Sequence, residues 1–176
     1  VCRAIRDLEI HDKCGLHVHI GFKHVSDISA KYRLFRLAST YEPLLLRKMP
    51  PWPTRANYCK ALPVAAWKTM SGNSFKFWET ASTLTGAFRY WWFNGCAMSK
   101  YGTIEFRHHN GSTDPNIILN WVSVLQCMFH ATTLAYVKVP WQDPTRTTLE
   151  QLVEDIQCDL NPVFGKRAKD YLLSFR

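Results

Sequence analysis

The sequence predicts an α+β domain in which an antiparallel sheet carries helices on one face. Two segments, 14–22 and 101–109, alternate apolar and polar residues as half-buried strands do. The aromatic-rich stretch 87–98 directly precedes the second of these segments, and helical apolar spacing follows it. With 47% hydrophobic and 20% charged residues, the chain can bury a core. We therefore expect one domain across residues 1–176.

The first predicted strand is CGLHVHIGF, at 14–22. Successive side chains of a strand point to opposite faces, so its four apolar residues share one face. The two histidines, His17 and His19, share the other. The segment is thus expected to be buried on one side and open on the other.

The first predicted helix begins at SDIS, where Ser26 or Asp27 can accept a hydrogen bond from the first turn. Apolar residues recur at helical spacing as far as Leu45. The helix must end at MPPWPTR (49–55), because proline has no N–H to donate and restricts the residue before it.

A hairpin is predicted in the middle of the chain. Residues 56–74 are expected to be irregular and 73–86 to form a short helix. AFRYWWFNGCAM (87–98) is expected to be a strand that an Asn-Gly pair closes, and YGTIEFRHH (101–109) its antiparallel neighbour.

Three helices are predicted after the hairpin. Asp114 caps the first, at 112–137, and Pro115 takes its first helical position. The second, at 143–160, opens with the capping-box pattern of Thr147 and Glu150. The segment GKRAKDYLLSFR forms the last, short helix.

The charge and the cysteines limit the function classes. A formal charge of +8 and a pI near 9.3 favour anionic partners, although scattered basic residues make nucleic-acid binding the weaker interpretation. No run approaches the roughly 20 apolar residues that a membrane helix needs, and no signal pattern is visible. Six widely spaced cysteines without a C-x-x-C pair indicate reduced thiols and a cytoplasmic protein.

Polar residues of the predicted strands are expected to share one sheet face. They are His17, His19, Arg89, Asn94, Thr103, Glu105, Arg107 and His109. Glutamate and histidine ligate divalent metals, while the planar fork of arginine binds phosphate oxygens. Such a face therefore suits a metal and a phosphate together.

Each piece also has an ordinary structural interpretation. Two histidines on an open strand are often only solvated, and a glutamate two residues before an arginine is most often a surface ion pair. Arg89, which lies among aromatic residues, could be a stacked cation with a structural role.

Four separated motifs occur in an order that resembles the amidoligase family, in the superfamily of glutamine synthetase and glutamate–cysteine ligase. They are CGLHVHIG (14–21), RANYCK (55–60), FRYWWFN (88–94) and GTIEFRHHNGSTDPNIILNWV (102–122). The first is similar to the histidine strand of glutamine synthetases, and TIEFR is similar to their strand with glutamate two residues before arginine.

The resemblance implies a curved antiparallel sheet of the glutamine synthetase-like type, whose concave face holds ATP, Mg²⁺ (or Mn²⁺) and a carboxylate substrate. It implies that ATP phosphorylates the carboxylate and that an amine then displaces phosphate to form an amide. Amino acids or peptides are the expected substrates.

The resemblance also implies roles for eight residues. His17 and Glu105 would be metal ligands, and His19 would contact nucleotide phosphate or support the metal. Arg107 and Arg89 would be catalytic and hold the transferring phosphoryl group or the carboxylate. Arg55, Asn57 and Asn94 would bind ATP or substrate.

The sequence departs from the family pattern at its start. No strand carrying glutamate–x–glutamate stands upstream of Cys14, so we expect the domain to lack its amino-terminal strand segment. An inactive relative that serves as a structural module in a homo-oligomer or an assembly is therefore an alternative. A metal-dependent hydrolase that uses His17 and His19, with Glu105 or His109 as third ligand, is another.

Overall fold

The computed structural model describes residues 9–22, 25, 27–62, 87–133 and 145–175. Within these residues the chain forms a three-stranded antiparallel sheet, five α-helices and three short 3₁₀ turns. This confirms the α+β class, and the described sheet does not close on itself. The glutamine synthetase-like type of sheet remains a prediction.

The strands are β1 (Val18–Gly21), β2 (Phe93–Asn94) and β3 (Thr103–Phe106). Their spatial order is β1-β3-β2, so β3 lies in the centre and pairs antiparallel with both neighbours. In this register Glu105 lies opposite His19 on one side and opposite Asn94 on the other. His19, Glu105 and Asn94 therefore form one polar row across the sheet.

The helices are α1 (Ile28–Lys48), α2 (Ala97–Tyr101), α3 (Pro115–Thr133), α4 (Leu149–Asp155) and α5 (Gly165–Leu173). The predicted start of α1 is confirmed at Asp27, whose side chain accepts a hydrogen bond of 2.8 Å from the N–H of Ser29. The alternative cap, Ser26, lies outside the described residues. The helix ends at Lys48, before the proline-rich segment, as predicted.

The predicted cap of α3 is also confirmed. Asp114 Oδ1 accepts a hydrogen bond of 2.8 Å from the N–H of Asn116, and Pro115 takes the first helical position. The predicted end of this helix, at 137, lies outside the described residues.

The predicted cap of α4 is wrong by one residue. Thr148 and Gln151, not Thr147 and Glu150, form the reciprocal capping box. Both pairs fit the sequence pattern, but the helix buries Leu149 and Leu152, and that packing fixes the start one residue later.

The long strand predicted at 87–98 is wrong in most of its length. Ala87–Tyr90 form a 3₁₀ turn, β2 has only two residues, and α2 follows. The chain turns because Asn94 Oδ1 accepts a hydrogen bond of 2.9 Å from the N–H of Cys96. The antiparallel pairing with β3 is as predicted, but α2 connects the strands. The helix predicted at 73–86 lies outside the described residues, as does most of the irregular segment 56–74.

The apolar face of the sheet packs against α1 and α3. Phe93 of β2 meets Phe35 of α1 edge-on, at 5.4 Å between ring centroids. Phe22, which follows β1, meets Phe129 of α3 at 4.8 Å. The helices thus cover the face that carries the alternating apolar residues, and the polar row lies on the opposite face.

Two further properties follow from the described residues. None of their helices is both long and apolar enough to cross a membrane. Of the cysteines in these ranges, Cys59, Cys127 and Cys158 are buried, whereas Cys14 is exposed.

Candidate functional site

The candidate site is centred on the carboxylate of Glu105 in the middle of β3. The pleat turns its neighbours Ile104 and Phe106 into the core, so the Glu105 side chain points to the other face. The side chain is only 8% exposed because groups from three segments close around it.

Four side chains surround this carboxylate. Oε1 lies 2.9 Å from Nδ1 of His17 and 2.8 Å from Nη1 of Arg107, and Oε2 accepts a hydrogen bond of 2.7 Å from Nδ2 of Asn94. Nε2 of His19 is 3.9 Å from Oε1. The structure therefore brings together five of the eight residues that the sequence singled out.

The surroundings of Glu105 favour its ionised form. Burial alone would raise its pKa, but hydrogen bonds from His17 and Asn94 and the charge of Arg107 outweigh burial and lower the pKa to about 2. Glu105 is thus a fixed negative charge with both oxygens engaged at neutral pH.

The two histidines stay accessible on this face. The side chains of His17 and His19 are 36% and 39% exposed. Nδ1 of His19 makes a hydrogen bond of 2.9 Å with Oγ1 of Thr103, and its ring meets Tyr101 edge-on at 6.0 Å. Each imidazole is therefore held through Nδ1, while Nε2 points away from that contact.

Arg107 is held at two points. Nη1 donates to Glu105, and Nε donates to the backbone carbonyl of Tyr58 at 3.1 Å. Its Nη2 has no hydrogen-bond partner among the described residues. The guanidinium is thus oriented and keeps donors for an anionic ligand.

Arg89 lies at the margin of the face. Arg89 is exposed and belongs to the 3₁₀ turn Ala87–Tyr90, not to a strand as predicted. Its guanidinium lies 4.6 Å from the ring centroid of Tyr90, and Nη2 donates to the Tyr90 hydroxyl. The Tyr90 ring in turn meets Tyr58 edge-on at 5.6 Å. Arg89 and Arg107 are thereby linked through two tyrosines, and the described contacts of Arg89 do not reach Glu105.

Arg55 and Asn57 share the 3₁₀ turn Pro53–Tyr58 but have opposite placements. Asn57 is exposed, whereas Arg55 is 1% exposed and donates to backbone carbonyls near the end of β3. The resemblance assigned both residues to ATP or substrate binding, but only Asn57 faces solvent.

The described residues do not fit a magnesium or manganese cage. Among them no three His, Cys, Asp or Glu side chains are grouped so as to hold a metal ion. Glu105 supplies the one carboxylate of the polar row, and both its oxygens accept hydrogen bonds. Mg²⁺ prefers several oxygen ligands, so no catalytic step is assigned to a metal here.

His109 does not join the polar face, contrary to the predicted alternation. The strand ends at Phe106, and His109 turns towards α5. Its Nε2 hydrogen-bonds the hydroxyl of Tyr171 at 2.8 Å, and its Nδ1 lies 2.7 Å from the carbonyl of Asn110. Both ring nitrogens are engaged, so His109 is not available as the third ligand of the zinc-hydrolase alternative. Glu105, the other suggested third ligand, lies beside His17 and His19, but both its oxygens accept hydrogen bonds.

Sequence reasoning missed two contributors to the site. Tyr58 orients Arg107 through a backbone carbonyl, which no side-chain pattern reveals. Tyr101 packs beside His19 from α2, a helix that the sequence was not expected to form. A bulky exposed tyrosine just before the strand of Glu105 was the available signal for the second.

A comparison with known protein families identifies the family of the chain. A family model described as "Putative amidoligase enzyme" matches residues 3–128, which is more than two thirds of the chain. The chain therefore belongs to the amidoligase family, and all eight candidate residues lie within the matched region. Searches of curated proteins and of solved structures each return no match.

Proposed function

We propose that this chain is an ATP-dependent carboxylate–amine ligase and that the polar sheet face activates the carboxylate. Family membership supports amide-bond chemistry. The observation that carries the proposal is the oriented Arg107, with a donor group to spare, between a fixed Glu105 and two accessible imidazoles. An anion that binds here meets donors already held in place.

The proposed reaction has two steps. A carboxylate oxygen of the substrate bonds to the terminal phosphorus of ATP, and ADP leaves. The amine nitrogen then bonds to the acyl carbon, inorganic phosphate leaves, and the nitrogen loses a proton. Each step concentrates negative charge on oxygens, which guanidinium and imidazole groups stabilise.

The residues divide into ligand contacts and supports. Arg107 would bind the substrate carboxylate or the transferring phosphoryl group, and His19 would contact nucleotide phosphate. Glu105 and Asn94 would keep Arg107 and His17 in place. Arg89 and Asn57, both exposed, would contact the outer parts of ATP or substrate. A metal would enter with the nucleotide and not through a preformed protein cage.

The direct test is product formation. The chain is incubated with ATP, Mg²⁺ or Mn²⁺, and pairs of amino acids or peptides with amines; ADP, phosphate and the amide are measured by mass spectrometry. We expect ADP and amide in equal amounts and loss of both in Arg107→Ala. Lys166→Ala is the matched control, because Lys166 forms an exposed ion pair with Asp170 on α5.

The proposal fails if a folded chain binds no nucleotide and releases no ADP across the panel. That result would favour the second candidate function, an inactive family member that serves as a structural or interaction module. One observation favours this candidate: the described face has a single carboxylate with both oxygens engaged. Stable self-association or capture of an assembly partner, without turnover, would be its signature.

A further inference from the structure

Arg55 is a buried cation that lies beneath the polar face. It is 1% exposed, and the described contacts of its guanidinium are all to neutral groups. Burial lowers the pKa of Arg55, yet arginine remains charged in proteins. Among the described residues Arg55 has no ion-pair partner, and burying such a charge is unfavourable, so these hydrogen bonds must offset the cost.

The contacts of Arg55 converge on the segment that follows β3. Nη2 donates to the carbonyl of Arg107 at 2.8 Å, and Nη1 donates to the carbonyl of His109 at 2.8 Å. Nη1 also reaches Oδ1 of Asn110 at 3.1 Å. The guanidinium thus ties down three of the four residues from 107 to 110.

The 3₁₀ turn that carries Arg55 makes a second contact with Arg107, this time with its side chain. Tyr58, at the end of the same 3₁₀ turn, accepts the hydrogen bond from Arg107 Nε through its carbonyl. One six-residue turn therefore fixes both the backbone and the side chain of Arg107.

Gly15 makes room for this arrangement. A Cβ at position 15 would lie 2.1 Å from Nη2 of Arg55 and 2.5 Å from its Cζ. Gly15 forms an isolated bridge with Asn110, so the backbone holds it against the guanidinium. Any side chain at position 15 must displace Arg55. At Gly21, by contrast, an added Cβ meets nothing within 4 Å.

We propose that Arg55 is a positioning residue that acts through Arg107 and does not touch the substrate. It anchors the Arg107 backbone so that the guanidinium, held by Tyr58 and Glu105, presents its remaining donors to the anion. Gly15 is the second component of this support. The inference rests on the proposed function, because it assigns Arg107 the anion contact.

A double-mutant cycle separates positioning from direct contact. Arg55→Lys keeps the charge but loses the planar fork, and we expect kcat to fall about 10- to 100-fold with the KM for ATP changed less than threefold. In an Arg107→Lys background, which lowers the rate but leaves it measurable, Arg55→Lys should cause much less further loss, since its effect passes through Arg107. Independent, multiplying losses would overturn the proposal.

Gly15→Ala provides a second route to the same displacement, with Gly21→Ala as its matched control. We expect Gly15→Ala to reproduce the kcat loss of Arg55→Lys and Gly21→Ala to retain activity. Normal activity of a folded Gly15→Ala chain would overturn the inference.

A measurement without turnover distinguishes this inference from the proposed function. In NMR spectra of the ¹⁵N-labelled wild-type protein, the Arg107 Nε–H signal should be sharp. It should shift or broaden in Arg55→Lys and Gly15→Ala but not in Gly21→Ala. An unchanged signal in the first two variants overturns the positioning role. If the signals change as expected but the wild type forms no amide, the ligase proposal alone fails.

Discussion

The side-chain amide of Asn94 donates from Nδ2 to Oε2 of Glu105 at 2.7 Å, across the pairing of β2 with β3. The two residues lie opposite each other in register, so the pleat turns both side chains to one face. Asn94 is itself held, because its Oδ1 accepts a hydrogen bond from the N–H of Cys96. The carboxylate is thus oriented by a neutral group that has little freedom to move.

Replacing this amide by a second carboxylate should destabilise the fold at neutral pH. Asn94→Asp removes the donor and places two negative charges side by side, and we expect a loss of about 1–3 kcal/mol in the free energy of unfolding at pH 7. The loss should shrink near pH 4, because one protonated carboxyl can donate to the other. Urea unfolding at both pH values measures it. Asn57→Asp, on an exposed turn, should change little; an equal loss at both pH values would contradict the charge explanation.

The low pKa of Glu105 makes the free energy of unfolding depend on pH in the acid range. Its pKa is about 2 in the folded chain, well below the ordinary glutamate value of 4.5, so the folded state binds the proton more weakly than the unfolded chain does. The stabilisation is therefore complete above pH 4.5 and is lost as pH falls towards 2, up to about 3 kcal/mol. Glu105→Gln should remove this part of the pH dependence. The difference in unfolding free energy between wild type and variant, followed from pH 7 to pH 2, tests it.

Asp159→Asn is the matched control for that measurement, since Asp159 pairs with Lys169 on an exposed surface. Its difference from wild type should stay nearly flat over the same range. A flat curve for Glu105→Gln would show that the hydrogen bonds to the carboxylate contribute no net stability.

The local parts of this fold were predictable from sequence. Alternation alone placed Ile104 and Phe106 in the core and turned Glu105 to the other face, because side-chain direction in a strand depends only on parity. The caps at Asp27 and Asp114 were equally predictable, since a short side chain satisfies donors within its own turn.

The non-local parts were not predictable in this way. Alternation continued to His109 implied a third imidazole on the face, but the strand ends at Phe106 and Tyr171 of α5 binds that ring instead. Nothing in RANYCK shows that Arg55 will be buried and will donate to the backbone carbonyl of Arg107, 52 residues along the chain. Register and burial depend on packing partners, which a single sequence does not display.

Arg107→Lys should lower kcat/KM by at least about tenfold if the chain is a ligase. Lysine keeps the charge but has no planar fork. It cannot donate to Tyr58 and Glu105 and at the same time offer paired donors to the anion. Steady-state rates with ATP and the identified substrates measure the loss. Arg167→Lys is the control, because Arg167 is exposed on α5 and donates a hydrogen bond to Asn120 of α3. Equal rates for the two variants would remove Arg107 from the reaction.

Glu42 should make the fold less stable as pH rises. It lies on α1 with 4% of its surface exposed, and Oε1 accepts a hydrogen bond of 2.7 Å from the N–H of Leu62. Burial raises its pKa from 4.5 to about 8, although the bond from Leu62 opposes the shift. The folded state therefore holds a proton that the unfolded chain releases above pH 4.5.

It follows that wild-type stability should fall between pH 4.5 and pH 8, by up to about 1.4 kcal/mol per pH unit where the two states differ by a full proton. Glu42→Gln keeps an acceptor for Leu62 and stays neutral, so it should be the more stable chain at pH 8, with little difference at pH 4. Thermal unfolding across this range measures the effect. The exposed Glu154 provides the control Glu154→Gln. Parallel curves for wild type and Glu42→Gln would mean that Glu42 is ionised in the fold at neutral pH.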